Sequence, residues 1–207
     1  GQALAEEFRR RGEQPILVFA DESFCQRNET TYGIHPDRAQ DYRRLLAEIP
    51  TPVGVIPLWS LDAPPIEEVG AEEAGAEEVE PVEPEDVDEL ARIAKGSCGS
   101  ILHLVQALLA DASVPARLWL VTEDAQPVVP GDRVDGVGQS PVWGLGRVIA
   151  SEHPELRPVL VDLSGNRGET ERVAAPSRVR RLLAEIDAGL GQDAAEPEVA
   201  LRQEGRF

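Results

Sequence analysis

Short apolar runs alternate with longer segments of helical periodicity along this chain, and this alternation constrains the fold more than any other feature. Most of the runs are continuously apolar, which is typical of strands buried on both faces of a parallel sheet. The runs are PILVFA, VGVIPLW, RLWLVT, PVLVDL and EVALR, at residues 15–20, 53–59, 117–122, 158–163 and 198–202. The spacing of apolar residues predicts helices over residues 2–11, 37–49, 86–110, 138–152 and 176–188. This order predicts an α/β fold, a truncated Rossmann-like open parallel sheet with helices on both faces.

The chain of 207 residues is predicted to form a single lobe with one acidic insertion at residues 60–85. The insertion is rich in Pro and Glu, and twelve acidic residues without a base lie between positions 67 and 89. Without those twelve charges the net charge of −18 would be −6, so the remainder is only mildly acidic. Like charges repel and prolines interrupt regular structure, so we expect a mobile loop that contributes little to stability.

The start of the pattern is unusual for this class of fold. It opens with a helix, whereas a Rossmann-like domain of this size normally opens with a strand, and the chain contains no Met. We therefore expect a first strand before Gly1 in a longer polypeptide. Residues 21–34, between the first predicted strand and the second helix, are polar and are predicted to form a loop.

Charge and cysteine content narrow the classes of partner and the compartment. A strongly acidic chain is unsuited to nucleic-acid backbones and to anionic membranes, so neither is expected as a partner. The chain has two cysteines, too few for a disulfide framework, and no apolar run long enough for a transmembrane helix. These features favour a reduced, cytoplasmic setting.

A dinucleotide site requires the pattern G-x-G-x-x-G between a strand and a helix, where backbone amides face the pyrophosphate. The segment GLGRVI at residues 144–149 lacks the last glycine and lies inside a predicted helix. We interpret Gly144 and Gly146 as positions that let this helix pack closely on the sheet. Trp119 in a predicted strand and Trp143 at a helix start are expected to pack in the core rather than to line a ligand pocket.

Short-chain reductases on this fold place a Tyr four residues before a Lys, which lowers the pKa of the phenol. The single lysine is Lys95, and position 91 holds Ala91. Neither Tyr32 nor Tyr42 is followed by Lys at that spacing. The pair required for reduction is therefore absent from this sequence.

Other catalytic and metal-binding arrangements are also not expected. The segment GSCGS offers Ser97, Cys98 and Ser100 as nucleophiles near His103, but five helical residues place Cys98 and His103 about 140° apart. The three histidines, His35, His103 and His153, are scattered, without H-x-x-x-H or C-x-x-C spacing. We predict no catalytic, cofactor-binding or metal-ligating residue within residues 1–207.

Several segments resemble one region of modular type I polyketide synthases. LWLVT, SPVWGLGRVIASEHPEL and VLVDL resemble the ketoreductase region in order and spacing, and more narrowly its N-terminal structural subdomain. ALAEEFRRRGEQPILV, YGIHPDRAQDYRRLL and the closing EVALRQEGRF resemble other parts of the same subdomain more loosely. The likeness covers nearly the whole chain, apart from the unusually long acidic insertion.

The resemblance implies a non-catalytic scaffold lobe that binds no cofactor and packs on a catalytic lobe. That partner lobe would carry NADPH and the Ser, Tyr, Lys and Asn of the reduction, for which this chain has no counterparts. The implied reaction is the reduction of β-ketoacyl groups on an acyl carrier protein. Neighbouring synthase domains and the acyl carrier protein are the further partners that the resemblance implies.

Two alternatives remain open at this point. One is a pseudo-ketoreductase lobe without a catalytic half of its own, beside a methyltransferase or another modifying domain. A Gly-rich loop and a Tyr-x-x-x-Asn stretch beyond Phe207 would argue against it. The other is a free-standing α/β enzyme that binds a small molecule, which the missing phosphate loop and the missing acid–base pair disfavour.

Overall fold

A computed structural model describes residues 1–62, 84–110, 116–129, 132, 134–165, 171–191, 196–202 and 205–207. The helices are α1 (Gln2–Arg10), α2 (Ala39–Glu48), α3 (Pro84–Leu109), α4 (Ser140–Glu152) and α5 (Glu171–Gly191). The strands are β1 (Leu17–Ala20), β2 (Cys25–Asn28), β3 (Thr31–Ile34), β4 (Gly54–Val55), β5 (Arg117–Glu123), β6 (Val159–Leu163) and β7 (Glu198–Leu201). The five predicted helices and the five predicted strands are all present, with shifted ends, and the α/β class is confirmed.

Four strands form a parallel sheet in the order β4-β5-β6-β7, with β5 and β6 paired from Trp119–Val159 to Glu123–Leu163. Alternate residues of these strands face opposite ways and enter two separate cores. Leu118, Leu120 and Leu160 pack with α3 and α4 on one face. The other face packs with α1 and α5, through residues such as Trp119 and Val161. Helices therefore cover both faces, as the continuous apolar runs predicted.

The segment predicted as a polar loop at residues 21–34 instead contains two strands, and that prediction is wrong. β3 pairs in parallel with β1 and antiparallel with β2, so a second sheet has the order β1-β3-β2. Gly33 makes this possible, because a Cβ there would stand 2.7 Å from both Asp21 Oδ2 and Cys25 Sγ. The predicted single open sheet is thus divided into a three-stranded and a four-stranded sheet.

The strand predicted at residues 53–59 is reduced to Gly54–Val55, and a 3-10 helix follows at Trp59–Asp62. A Cβ at Gly54 would collide with the Trp119 ring, so the glycine permits β4 to approach β5. Beyond β4 the edge of β5 is capped by Ser60, whose hydroxyl donates a hydrogen bond to the Val121 carbonyl at 2.7 Å. A side chain therefore bonds a carbonyl on the edge of β5.

The helix predicted to begin at Pro176 begins five residues earlier, and Pro176 lies inside α5. Pro176 is the sixth residue of α5, and there it removes the one intrahelical bond that its own N–H would donate to the carbonyl four residues earlier. Within the predicted loop at residues 60–85, residues 60–62 lie in the 3-10 helix and 84–85 in α3, while 63–83 lie outside the described residues.

In the described part of the chain, no helix is both long and apolar enough to cross a membrane.

Candidate functional site

The carboxyl ends of β5, β6 and β7 lie side by side at one edge of the four-stranded sheet. In open α/β sheets, ligands bind in the crevice outside these carboxyl ends. This edge is therefore the candidate site of the molecule. Its polar side chains come from Thr122 and Glu123 on β5, Asp162 on β6 and Arg202 directly after β7.

Asp162 is the centre of this edge, and its side chain is 0% exposed. Its Oδ1 accepts hydrogen bonds from the Thr122 hydroxyl at 2.6 Å and from the Ala125 amide at 3.0 Å. Its Oδ2 accepts a bond from the Gln126 amide at 3.2 Å. A buried carboxylate needs such donors, since an uncompensated charge is costly in the interior.

Arg202 supplies the cation that this buried carboxylate requires, and only 5% of its side chain is exposed. Its Nη2 lies 2.7 Å from Asp162 Oδ2 and also donates to the Gln126 carbonyl at 2.6 Å. Its Nη1 donates to the Asp162 carbonyl at 3.1 Å, and its Nε reaches Asp132 Oδ2 at 3.4 Å. The guanidinium therefore hydrogen-bonds both β6 and the segment after β5, and it lies at the carboxyl edge of the sheet.

Asp132 is held in place by backbone donors as well as by Arg202. The amides of Val128 and Val129 donate to its Oδ2 at 2.9 and 3.2 Å. The Val128 bond is the main reason that the pKa of Asp132 lies below its usual value, and the Val129 bond and Arg202 lower it further. The ionised carboxylate of Asp132 therefore holds the backbone at Val128 and Val129, after β5, through hydrogen bonds.

Trp143 joins the same network from α4. Its indole is buried against the sheet, and its Nε1 donates to Thr122 Oγ1 at 2.9 Å, while Thr122 in turn donates to Asp162. The prediction that Trp143 packs in the core is confirmed, and the ring N–H has the partner that a buried indole requires. Trp119 is also buried in the core, on β5.

The two glycines after Trp143 have different surroundings. A Cβ on Gly146 would stand 2.7 Å from Leu160 Cδ2 and 2.9 Å from Leu120 Cδ1, so this glycine does let α4 approach the sheet. Gly144 is exposed, and a Cβ there would meet nothing within 4 Å. The interpretation from sequence is therefore confirmed for Gly146 and wrong for Gly144.

Glu123 and Arg178 form a second ion pair at this edge, between the end of β5 and α5. Burial raises the pKa of Glu123, and the guanidinium of Arg178 acts in the opposite direction. The backbone amide of Glu123 donates to Gln139 Oε1 at 3.0 Å, which joins β5 to the start of α4. A Cβ at Gly165 would collide with the carboxylate of Asp124, so the loop after β6 is also packed closely here.

The chemistry of this edge is that of a closed network in which protein groups satisfy the buried carboxylate of Asp162. Both carboxylate oxygens of Asp162 accept two hydrogen bonds each from protein groups. Such a network fixes the ends of neighbouring strands relative to one another. The four protein donors occupy the acceptor positions of both oxygens, so this carboxylate is poorly placed to take a proton from a substrate.

The remaining residues considered from the sequence lie elsewhere. Burial raises the pKa of the Cys98 thiol on α3, which disfavours the nucleophilic thiolate. The ring of His103, considered from the sequence as a base near Cys98, packs against Tyr42, with ring centroids 6.0 Å apart. The two serines of the same segment are buried, and the Ser100 hydroxyl donates to the Ser97 carbonyl at 3.1 Å.

The tyrosine hydroxyls bond to residues close by in the chain, and the lysine is exposed. Tyr32 accepts a hydrogen bond from Gln26 at 3.0 Å, and Tyr42 donates to the Pro36 carbonyl at 2.9 Å. Burial is the main cause that raises the pKa of Tyr42 well above its ordinary value. Lys95 and Ala91 are exposed on α3.

Two of the three histidines bind nearby protein groups. His35 Nδ1 accepts the amide of Asp37 at 3.2 Å, and His153 Nδ1 lies 3.1 Å from Glu155 Oε1. No group of three potential metal ligands occurs among the residues that the structure describes.

Sequence reasoning missed the Asp162–Arg202 pair. A signal was present, since Asp162 interrupts the apolar run PVLVDL and Arg202 ends the run EVALR. A charge inside a buried strand requires a partner. The sequence, however, contains nineteen arginines and does not indicate which of them is that partner.

Comparisons with known proteins agree with the fold and with the resemblance of the sequence. Polyketide synthase GfsA of Streptomyces halstedii is 38% identical over 123 residues, 59% of this chain and 2% of that protein. Pikromycin polyketide synthase component PikAII of Streptomyces venezuelae is 43% identical over 107 residues, 52% of this chain and 2% of that protein. The chain thus spans only about 2% of the length of these relatives.

Solved structures match over most of the chain. A C2-type ketoreductase from a modular polyketide synthase is 31% identical with a TM-score of 0.53, over 85% of this chain and 33% of that one. A nonribosomal peptide synthetase module with adenylation and ketoreductase domains shares the fold, with 21% identity and a TM-score of 0.72 over 99% of this chain and 15% of that one. A family model matches residues 36–206. The chain therefore belongs to the family of the Rossmann fold domain of the polyketide synthase extender module SpnB, a subdomain related to the ketoreductases of these synthases.

Proposed function

We propose that this chain is the non-catalytic scaffold lobe of a polyketide synthase ketoreductase. Its partner lobe binds NADPH and reduces β-ketoacyl groups carried by an acyl carrier protein, in the cytoplasm. The observation that carries the proposal is the carboxyl edge of the parallel sheet, where Asp162 and Arg202 form a buried pair at the usual place of a ligand. The missing Tyr–Lys pair supports the same conclusion.

The physical role of such a lobe is to hold its partner in shape. The hydrogen bonds from Arg202 and Trp143 join three strands, the segment after β5 and α4 into one rigid unit. A rigid neighbour keeps a catalytic site within the small tolerance that hydride transfer requires, as supporting residues do in other enzymes. The lobe would thus contribute to activity without touching the substrate.

Separate expression of the two lobes tests this proposal. The chain alone, mixed with NADPH and a β-ketoacyl thioester, should cause no loss of nicotinamide absorbance. The catalytic lobe of the same synthase should be weakly active alone, and addition of this chain should restore reduction. Turnover by the chain alone, or full activity of the catalytic lobe without it, would contradict the proposal.

The same experiment addresses the pseudo-ketoreductase alternative. That alternative predicts that the synthase carries no catalytic lobe that this chain activates. Restored reduction would exclude it, whereas a synthase that contains only this lobe and a modifying domain would support it. A free-standing enzyme would instead bind NADPH or another small molecule tightly without a second lobe.

A further inference from the structure

Two acidic side chains are buried among the residues that the structure describes, and they lie on different elements. Asp162 lies on β6 and Glu185 on α5. The cation that pairs with Asp162 is Arg202, which follows β7 directly. The cation that pairs with Glu185 is Arg206, whose Nε and Nη2 donate to the two carboxylate oxygens at 2.8 and 3.0 Å. Both buried carboxylates therefore receive their arginine from one short stretch of the chain.

The segment Gly205–Phe207 lies antiparallel to β7, along the edge that does not pair with β6. Ala200 and Phe207 exchange both of their backbone hydrogen bonds, at 2.8 and 2.9 Å. Arg202 and Gly205 do the same, at 2.8 and 3.3 Å. We call Gly205–Phe207 the strap. The strap supports the backbone of Arg202, whose side chain takes part in the hydrogen bonds around Asp162 described above, the Asp162 network.

The strap is exposed, although it carries the partner of a buried charge. All three of its residues are exposed, and the side chain of Arg206 is 45% exposed, whereas that of Glu185 is 4% exposed. Arg206 also pairs with the exposed Glu196. A segment with little buried apolar surface opens at a low cost in free energy, whereas a buried carboxylate without a partner is unfavourable. The position of the strap therefore depends mainly on its backbone bonds and on the pair between Arg206 and Glu185.

We propose that the strap is a conformational device that controls the carboxyl edge of the parallel sheet. While Arg206 binds Glu185, the strap holds Arg202 in the Asp162 network. When Arg206 leaves Glu185, the strap and the Asp162 network open together. The two arginines bind different carboxylates, so the coupling acts through the backbone pair of Arg202 and Gly205. The edge at which ligands bind in open α/β sheets is thus closed only while the strap is docked.

Hydrogen exchange of backbone amides in the chain tests this coupling. In the variant Arg206→Met, the amide of Ala200, which donates to the strap, should exchange at least tenfold faster than in the parent chain. The amide of Gln126, which donates to Asp162, should accelerate to a similar degree. The amide of Leu17, in the three-stranded sheet, should change by no more than about twofold, because that sheet does not pair with β7.

The matched control is Arg10→Met, because Arg10 pairs with Glu7 on the exposed surface of α1. In this control the amides of Ala200, Gln126 and Leu17 should all exchange within about twofold of their rates in the parent chain.

A cross-link provides a readout of opposite sign in the same molecule. Ala200 and Phe207 face each other as a hydrogen-bonded antiparallel pair, whose Cα separation suits a disulfide. Ala200→Cys and Phe207→Cys are added to Arg206→Met, and Cys25 and Cys98 are replaced by Ser. Oxidation should fix the strap on β7 and return the exchange of the Gln126 amide to within about twofold of the parent rate. Reduction should release the strap and restore fast exchange.

The outcomes separate the steps of the proposal. Faster exchange at Ala200 with unchanged exchange at Gln126 would overturn the coupling, because the strap would then open without the network. Unchanged exchange at both amides would overturn the role of Arg206. If Leu17 accelerates equally, Arg206→Met unfolds the whole chain and the cross-linked variant decides. Failure of its oxidation to slow exchange at Gln126 would overturn the proposal.

Discussion

Replacing Arg202 by Met removes the cation from the buried network while keeping an apolar side chain of similar length. Four hydrogen bonds are lost, to the side chain and carbonyl of Asp162, to the Gln126 carbonyl and to Asp132. The carboxylate of Asp162 keeps the donors of Thr122 and of two backbone amides. The variant therefore leaves a buried charge that is hydrogen-bonded but no longer balanced.

The magnitude follows from these remaining contacts. Removing one partner of a buried ion pair costs about 3–5 kcal/mol of folding free energy. Because three donors still face Asp162, we expect the lower end, about 3 kcal/mol. With a urea dependence of about 2 kcal/mol per molar for a chain of this size, Arg202→Met should lower the urea midpoint by about 1.5 M.

The assay is equilibrium urea unfolding of the chain, followed by tryptophan fluorescence. Arg10→Met is the matched control, since Arg10 pairs with Glu7 on the exposed surface of α1, and should stay within about 0.5 kcal/mol of the parent chain. The double variant Asp162→Asn/Arg202→Met should lose less stability than the two single variants together. A midpoint shift below about 0.5 M for Arg202→Met would show that the network does not hold the edge together.

Four further variants test other contacts. Trp143→Ala should cost roughly 3–5 kcal/mol in urea unfolding, the usual range for an aromatic side chain lost from a core; a loss below about 1 kcal/mol would reopen a ligand-lining role for it. Gly146→Ala should destabilise by about 1–3 kcal/mol, because its Cβ overlaps two leucines, whereas Gly144→Ala should stabilise slightly; equal effects would contradict the close approach of α4. Arg147 lowers the pKa of Glu198 in the folded state. Their pair therefore stabilises the fold fully at pH values above the pKa that Glu198 has in the unfolded chain. This contribution is lost as the pH falls through the lower pKa that Glu198 has in the folded chain. Arg147→Met should therefore flatten the acid side of the curve of unfolding free energy against pH. An unchanged curve would show that the pair does not contribute to stability.

The parallel core of the lobe could be predicted from sequence because its signals are local. β5 and β6 are continuous apolar runs, which predict burial on both faces, and α3 and α4 keep helical spacing. The packing of Trp143 followed from its position at a helix start. The mobility of the acidic insertion stays a prediction, since residues 63–83 lie outside the described part.

The misses have identifiable physical causes. β2 is polar and exposed at the edge of its sheet, and β3 is only four residues long, so their pattern resembles a loop until Gly33 and the pairing with β1 are seen. Pro176 indicated a helix start, but a proline near a helix N-terminus interrupts only one hydrogen bond. Gly144 and Gly146 look equivalent in sequence, and only the position of the sheet distinguishes them.

The sequence by itself therefore determined the class of fold, the apolar strands and helices, and the likeness to polyketide synthase ketoreductases. Only the tertiary structure decided how the strands divide into two sheets and what occupies the carboxyl edge of the parallel sheet. The reason is separation along the chain. Asp162 lies forty residues from both Thr122 and Arg202, and local hydrophobic periodicity carries no information about contacts at that distance.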